Sequence, residues 1–304
     1  MRPKNIFTIT SLSKTPEAKI DIVIVGAQKS ATTSLKHYIG EHPAILAHPQ
    51  IEFAYFIDDK EYANGVNGML NKYFKNKNNK NVTMLAAKSA LLYVSETGMQ
   101  RLRQYNPDCK IVLILRNPVE RTYSSYLMDM INFNYTFPEI KKIASDNEDL
   151  RYKIFIDSGI YAKHLHNIYK HFPKEQVKIL LYEDIQNNGV ETCQQIYKWL
   201  GVDASFTPDV NKKYNATKRR KSHFYTRALR KVLTPNSMMR KVFNSVVPEH
   251  YNHKVGDMLR DLNKKDTTYE EMDPSTKKFL LDFFRPHNKE LAEMIGRDLS
   301  AWDK

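Results

Sequence analysis

Nine residues, Gly26-Ala27-Gln28-Lys29-Ser30-Ala31-Thr32-Thr33-Ser34, gather one lysine and four hydroxyls into a single stretch. An ammonium, several hydroxyl donors and a run of main-chain N–H groups suit one task above others, which is holding an oxyanion. The stretch is not a Walker A loop, which reads G-x-x-x-x-G-K-[ST], because the second glycine is missing. A cradle for β- and γ-phosphates with a Mg²⁺-bound hydroxyl is therefore not spelled out. The plainer reading is a βα turn whose serines and threonines cap a helix. A second cluster begins at Arg116, with Ser124 eight residues on. A guanidinium is suited to bidentate contact with a phosphate, and a serine hydroxyl adds a neutral donor.

The surrounding sequence says what must position these groups. Ile22-Val23-Ile24-Val25 is short, apolar and β-branched, as a buried parallel strand requires. Gly26 ends it and allows a tight turn. Leu35, Tyr38 and Ile39 then recur at helical spacing, so the hydroxyl-rich turn opens a helix whose N-terminus favours an anion. Ile111–Leu115 repeats the apolar strand, and Arg116 falls at its C-terminal end, where open α/β sheets bind ligands. Asn117-Pro118 turns the chain into another helix. Residues 99–108 read as a short helix with Met99, Leu102 and Tyr105 on one face, stopped by Pro107. Tyr161, Leu165, Ile168 and Phe172 mark a further helical face ended by Pro173. A third strand lies in VKILLYEDI, followed by a helix over Val190–Leu200 closed by Gly201 and a final helix opened by Asp273-Pro274.

Strands alternating with helices predict an α/β fold: a central parallel sheet flanked by helices on both faces, in a single domain spanning 1–304. Residues 1–19 read as an arm or edge strand, 58–80 as a polar Asn- and Lys-rich surface loop, 131–152 as an irregular charged segment, and 203–270 as a basic, partly irregular segment.

The chain has 304 residues, 41% of them hydrophobic, which is enough for one large core. Lys and Arg number 47 against 34 Asp and Glu, a net charge of +13 that suits a polyanionic ligand, nucleic acid or an anionic membrane surface without choosing among them. Two cysteines, Cys109 and Cys193, both in apolar patterns, read as reduced core residues with no disulfide framework and no metal spacing. The N-terminus lacks a secretory apolar stretch and no run approaches a membrane span. These features predict a cytoplasmic enzyme that crosses no membrane.

Taken together, the two clusters resemble those of sulfotransferases that use 3′-phosphoadenosine 5′-phosphosulfate (PAPS), in the carbohydrate branch that includes the heparan sulfate sulfotransferases and bacterial relatives. The likeness runs from about Ile20 to Trp302, with gaps at 58–80, 131–152 and 222–270. It implies the sulfotransferase fold and that Gly26, Gln28, Lys29, Ser30, Ala31, Thr32, Thr33 and Ser34 form the 5′-phosphosulfate loop. It implies that Arg116 and Ser124, within Arg-Asn-Pro-x-x-Arg-x-x-Ser-x-Tyr, hold the 3′-phosphate, with Arg121 read as a helix-surface cation. Glu52 falls on the family's general base in Glu-x-x-Tyr-Phe, with Tyr55-Phe56 as its aromatic pair. Ile51 and Ala54 depart from the lysine and histidine common there, which points to an unusual acceptor. Lys88, Ser89 and Tyr93 fit a Lys-Ser-x-x-x-Tyr element, in which Lys88 joins Lys29 in stabilising the leaving phosphate; Ala87 and Ala90 depart from it. Gly159 and Tyr161 match a further Gly-x-Tyr, with Tyr161 in the core. Lys218, Arg219 and Arg220 align loosely with the basic loop that closes over the nucleotide.

The resemblance thus implies metal-free transfer of a sulfuryl group from PAPS to a hydroxyl or amine of a saccharide or small molecule, leaving 3′,5′-ADP. His48 is a fallback base, since imidazole titrates near neutrality. No nucleic-acid partner is expected, peripheral contact with a membrane is open, and oligomeric state is not legible. Two rivals remain. One is a small-molecule kinase using ATP and Mg²⁺. The other is a non-catalytic basic module for membranes or nucleic acid, supported by the basic stretch at 212–231.

Overall fold

A computed structural model describes residues 19–74, 81–133, 140–212, 219–220, 264–265 and 272–304. The chain falls into two compact units, Met1–Leu115 with Leu165–Val210, and Arg116–His164 with Asn211–Lys304.

The first unit is built on a five-stranded, all-parallel sheet of β1 (Ile20–Gly26), β2 (Ile45–Ala47), β3 (Met84–Lys88), β4 (Lys110–Leu115) and β5 (Val177–Leu181), in the order β2-β3-β1-β4-β5. Each strand is preceded or followed by helix, as parallel pairing demands. Those of this unit are α1 (Thr32–Gly40), α2 (Asp59–Ala63), α3 (Gly65–Phe74), α4 (Glu96–Tyr105), α9 (Tyr182–Asn187) and α10 (Gly189–Leu200). The apolar runs foreseen as β1 and β4 are the sheet's centre. Ile22, Val23, Ile24, Val25 and Ile111 to Leu115 are all fully buried, and Val23 pairs with Ile111 on one side and Ala87 on the other. Cys109 and Cys193 are both free and buried.

Gly26 is needed for space rather than for its dihedral freedom. Its φ lies outside the left-handed region, but a Cβ there would come 2.3 Å from the buried Tyr93 ring. The left-handed residues are instead Lys29 (φ 70°) and Ala31 (φ 61°), inside the turn that follows.

Of the expected loop 58–80, Asp59–Ala63 and Gly65–Phe74 are helical, and 75–80 lies outside the described residues. Asp58 accepts from the Glu61 N–H at 3.0 Å to cap α2, and α3 buries Met69, Tyr73 and Phe74. The Asn and Lys content there is the solvated face of an amphipathic helix.

The second unit contains α5 (Pro118–Phe133), α6 (Ile140–Ala144), α7 (Leu150–Phe155) and α11 (Pro274–Ile295), with α8 (Tyr161–His171) beginning in it. Val119, Ile140, Ile143, Phe155, Ile156, Leu280 and Phe284 form its core. The segment 131–152, expected to be irregular, contributes α6 and the start of α7, because Ile140 and Ile143 lie on one buried helical face and Asp149 caps α7. Arg121, expected on the helix surface, is fully buried. It donates to the carbonyls of Ile154 (3.4 Å) and Phe155, where the last turn of α7 leaves acceptors open. Tyr161 is buried, and its hydroxyl donates to the Arg116 carbonyl at 2.9 Å. Arg219–Arg220 pairs antiparallel with Lys264–Lys265.

Candidate active site

The turn from β1 into α1 is anchored at its base to β4. Ala27 N–H donates to the Ile114 carbonyl on β4 at 2.8 Å. Ala31 is the N-cap residue of α1, and no side chain caps the helix. The Ser/Thr cap of the plainer reading is therefore not made at the N-cap position. Ser30 is fully buried, and its hydroxyl has no partner among the described residues. Left-handed backbone at two non-glycine residues costs on the order of 1 kcal/mol each, and such outliers gather where a ligand repays them. Thr32 and Ser34 are buried, and Gln28, Lys29, Ala31 and Thr33 are partly exposed.

The end of β3 brings three of the sequence-predicted residues together. Lys88 is 1% exposed. Its Nζ donates to Glu52 Oε1 at 2.5 Å and to Thr33 Oγ1 on α1 at 3.3 Å. Burial pushes the Lys88 ammonium down from the usual lysine range, and the Glu52 carboxylate opposes that shift. Glu52 also accepts the Ala90 N–H through Oε2 at 3.0 Å, yet keeps 48% of its side chain exposed. It is thus fixed on one side and open to solvent on the other.

The main chain around Glu52 is stapled to β3. His48 N–H donates to Ala86 O (3.3 Å), Lys88 N–H to His48 Nε2 (3.0 Å) and Phe53 N–H to Lys88 O (2.8 Å). His48 is buried, and that burial, reinforced by the nearby Lys36 and Lys88 ammonium groups, pushes its imidazole down to about 3. An imidazole held neutral to so low a pH, with Nε2 committed to the backbone, is unsuited to the fallback role of base.

Sequence reasoning missed Lys36. It is buried on α1, with Nζ donating to the carbonyls of His48 (3.1 Å) and Gln50 (2.7 Å). A signal was present, since Lys36 stands four residues after Thr32 and three before Ile39, on the stripe of α1 that is buried.

In the second unit, Arg116 and Ser124 line one cavity together with Glu120, Tyr123 and Lys277, with a volume of about 380 Å³. Glu120 Oε2 accepts from Arg116 Nε at 3.1 Å and from Nη2 at 2.9 Å. Lys218 lies outside the described residues, and Arg219 and Arg220 are described only as a paired strand. Among the described residues no helix is long and apolar enough to cross a membrane.

With this geometry in hand, comparison with known proteins is direct. A family model described as "Sulfotransferase domain" matches residues 19–291. The human bifunctional heparan sulfate N-deacetylase/N-sulfotransferase 2 is 27% identical over 303 residues, covering 95% of this chain and 31% of that protein. Mouse heparan sulfate glucosamine 3-O-sulfotransferase 5 is 26% identical over 285 residues, covering 91% of this chain and 72% of that one. The chain therefore spans under a third of the length of the N-deacetylase/N-sulfotransferases it matches. Among solved structures, a sulfotransferase from Alicyclobacillus acidocaldarius superposes with a TM-score of 0.64 at 23% identity, covering 94% of this chain and 100% of the other, a likeness of fold.

Proposed function

The chain belongs to the sulfotransferase family, and on that premise we propose that it transfers a sulfuryl group from PAPS to a hydroxyl or amine of a saccharide, with Glu52 as general base. The observation that carries this reading is the position of Lys88, whose one ammonium touches both the anion-suited turn, at Thr33, and the carboxylate of Glu52.

PAPS supplies a sulfuryl group already activated on a phosphate leaving group. Each unit by itself carries residues suited to one anionic end of such a ligand. At one end, the Gln28–Ser34 turn offers the N-terminus of α1, which its N-cap side chain does not close, a buried Ser30 hydroxyl with no partner among the described residues, and the Lys29 side chain. For the other end, Arg116 and Ser124 share a cavity and take the 3′-phosphate, with Lys218, Arg219 and Arg220 as further contacts in the basic segment. Glu52 takes the proton from the acceptor as it attacks, a contribution of about 10²- to 10⁴-fold for a positioned base. Lys29 and Lys88 stand as fixed cations for the charge that develops on the departing phosphate oxygen. The saccharide assignment draws on the relatives, which are heparan sulfate sulfotransferases by name. The +13 net charge suits so anionic a polymer.

The test is transfer of labelled sulfate from PAPS to de-N-sulfated heparan sulfate. Glu52→Gln is expected to lower transfer about 10²-fold or more, while 3′,5′-ADP still raises the melting temperature. Undiminished turnover would remove Glu52 as base. A melting temperature raised by ATP–Mg²⁺ and not by 3′,5′-ADP would favour the kinase reading instead.

A further inference from the structure

Lys36 is almost wholly buried in the first unit, at 2% exposure, and has no carboxylate in hydrogen-bond contact among the described residues. Burying an ammonium is costly unless its donors are satisfied. Here two of its three donors are spent on main-chain carbonyls, at His48 (3.1 Å) and Gln50 (2.7 Å). Those carbonyls belong to the segment that enters the Glu52 turn. The other end of the turn is fixed by Phe53 N–H on the Lys88 carbonyl at 2.8 Å. A third tie runs from Gln50 Nε2 to the Lys72 carbonyl on α3 at 2.8 Å. Between the anchors at 50 and 53 stand Ile51, which is 64% exposed, and Glu52, whose side chain is 48% exposed.

We propose that Lys36 is a positioning residue, which ties α1 to the main chain at His48 and Gln50 and so fixes the Glu52 carboxylate against the anion-suited turn. The inference rests on the reading of Glu52 as base given above. Its physical content is that α1 carries both the donors of that turn, including Thr33, and the ammonium that holds the base-bearing segment. The nucleotide cradle and the base then share one rigid element, and their spacing does not depend on the loop. Burial pushes the Lys36 ammonium down to about 8, with the Lys88 charge adding to the shift and Glu52 opposing it. Lysine is also better suited than arginine here, since two carbonyls on one side need a compact donor.

A double-mutant cycle tests this, with PAPS and de-N-sulfated heparan sulfate as substrates. Lys36→Met keeps the side-chain volume and removes the donors. It is expected to lower kcat about 10²-fold, the cost of a base displaced by about 1 Å, while 3′,5′-ADP affinity stays within a factor of about two. Combined with Glu52→Gln it should add nothing to the loss that Glu52→Gln causes alone. Unchanged kcat in Lys36→Met, or losses that multiply in the double variant, overturns the proposal. Full activity of Glu52→Gln would instead overturn the reading of the base and leave that outcome plainly distinguishable. If Lys36→Met does not fold, Lys36→Gln, which retains N–H donors, enters the same cycle. In the unmodified protein, the Lys36 ammonium protons should exchange slowly in lysine Nζ NMR; exchange as fast as that of surface lysines also overturns it.

Discussion

The Lys88 ammonium is what holds the Glu52 carboxylate itself. Lys88 is buried, and a lysine in that position must find acceptors or lose its charge. It finds Glu52 and Thr33. Removing it by Lys88→Met leaves the carboxylate without its cation, so we expect transfer to fall at least tenfold, with the melting temperature checking that the fold persists. In the proposed reading, Arg116 is the residue on which discrimination between nucleotides depends. Its guanidinium is already oriented by Glu120 through two hydrogen bonds, at 3.1 and 2.9 Å. Arg116→Ala should therefore weaken 3′,5′-ADP by about tenfold to a hundredfold, as loss of a charge-assisted bond worth about 1.5–3 kcal/mol implies. Binding of 5′-AMP should change little. Titration calorimetry with both nucleotides checks this, and equal losses would mean that Arg116 does not read the 3′-phosphate.

Elements impose their own demands. The end of β1 must pass under the Tyr93 ring, and only a residue without a Cβ can do so, since the added atom would sit 2.3 Å from the ring. Tyr93 is fully buried and has no room to swing away. Gly26→Ala should cost about 1–3 kcal/mol by overpacking, and pairing it with Tyr93→Leu should recover part of the loss in urea unfolding. A cost unchanged in the pair would point to the backbone and not the ring. In the second unit, Arg121 closes the C-terminal end of α7 by donating to two of its carbonyls. The Thr122 hydroxyl donates to the Phe155 carbonyl as well, at 2.7 Å. Arg121→Leu leaves the Ile154 carbonyl to the Ser158 hydroxyl (2.5 Å) and the Phe155 carbonyl to the Thr122 hydroxyl, so the expected loss is that of the two guanidinium hydrogen bonds, about 1–3 kcal/mol. Its place in the Arg-x-x-Ser run gave no hint of this, because the carbonyls it serves, at Ile154 and Phe155, lie more than thirty residues further along the chain.

At the scale of the whole molecule, the buried cations near β3 make stability depend on pH in a defined window. His48 is held down to about 3, against an ordinary value of 6.5, first by burial and then by Lys36 and Lys88. Between those values the unfolded chain binds a proton at this site that the folded chain refuses. The contribution is therefore present in full above pH 6.5 and is lost as pH falls toward 3, at up to about 1.4 kcal/mol per pH unit. His48→Gln, which can still accept the Lys88 N–H, should flatten the decline in unfolding free energy between pH 6.5 and 4.5. An identical decline in both proteins would show that other groups set it. Lys36 acts at the alkaline end. With its ammonium at about 8 against 10.5 when unfolded, its contribution is complete above pH 10.5 and diminishes as pH falls to 8.

The sequence by itself determined the sheet's central strands, the order of strand, turn and helix at Gln28–Ser34, and the family. Long apolar β-branched runs have few other uses, and the two clusters at Lys29 and Arg116 lie in contiguous stretches of chain. It named Glu52 and Lys88 one at a time, through a family likeness. Only the tertiary structure decided that they touch, that Gly26 serves the Tyr93 ring, that Arg121 and Lys36 are buried, and that Asp59–Ala63 and Gly65–Phe74 are helical. Each of these depends on a partner far away in the chain or on a face turned inward. A charged residue on a buried stripe looks like a solvated one until the carbonyls it satisfies are brought to it, and chain order does not say which carbonyls those will be.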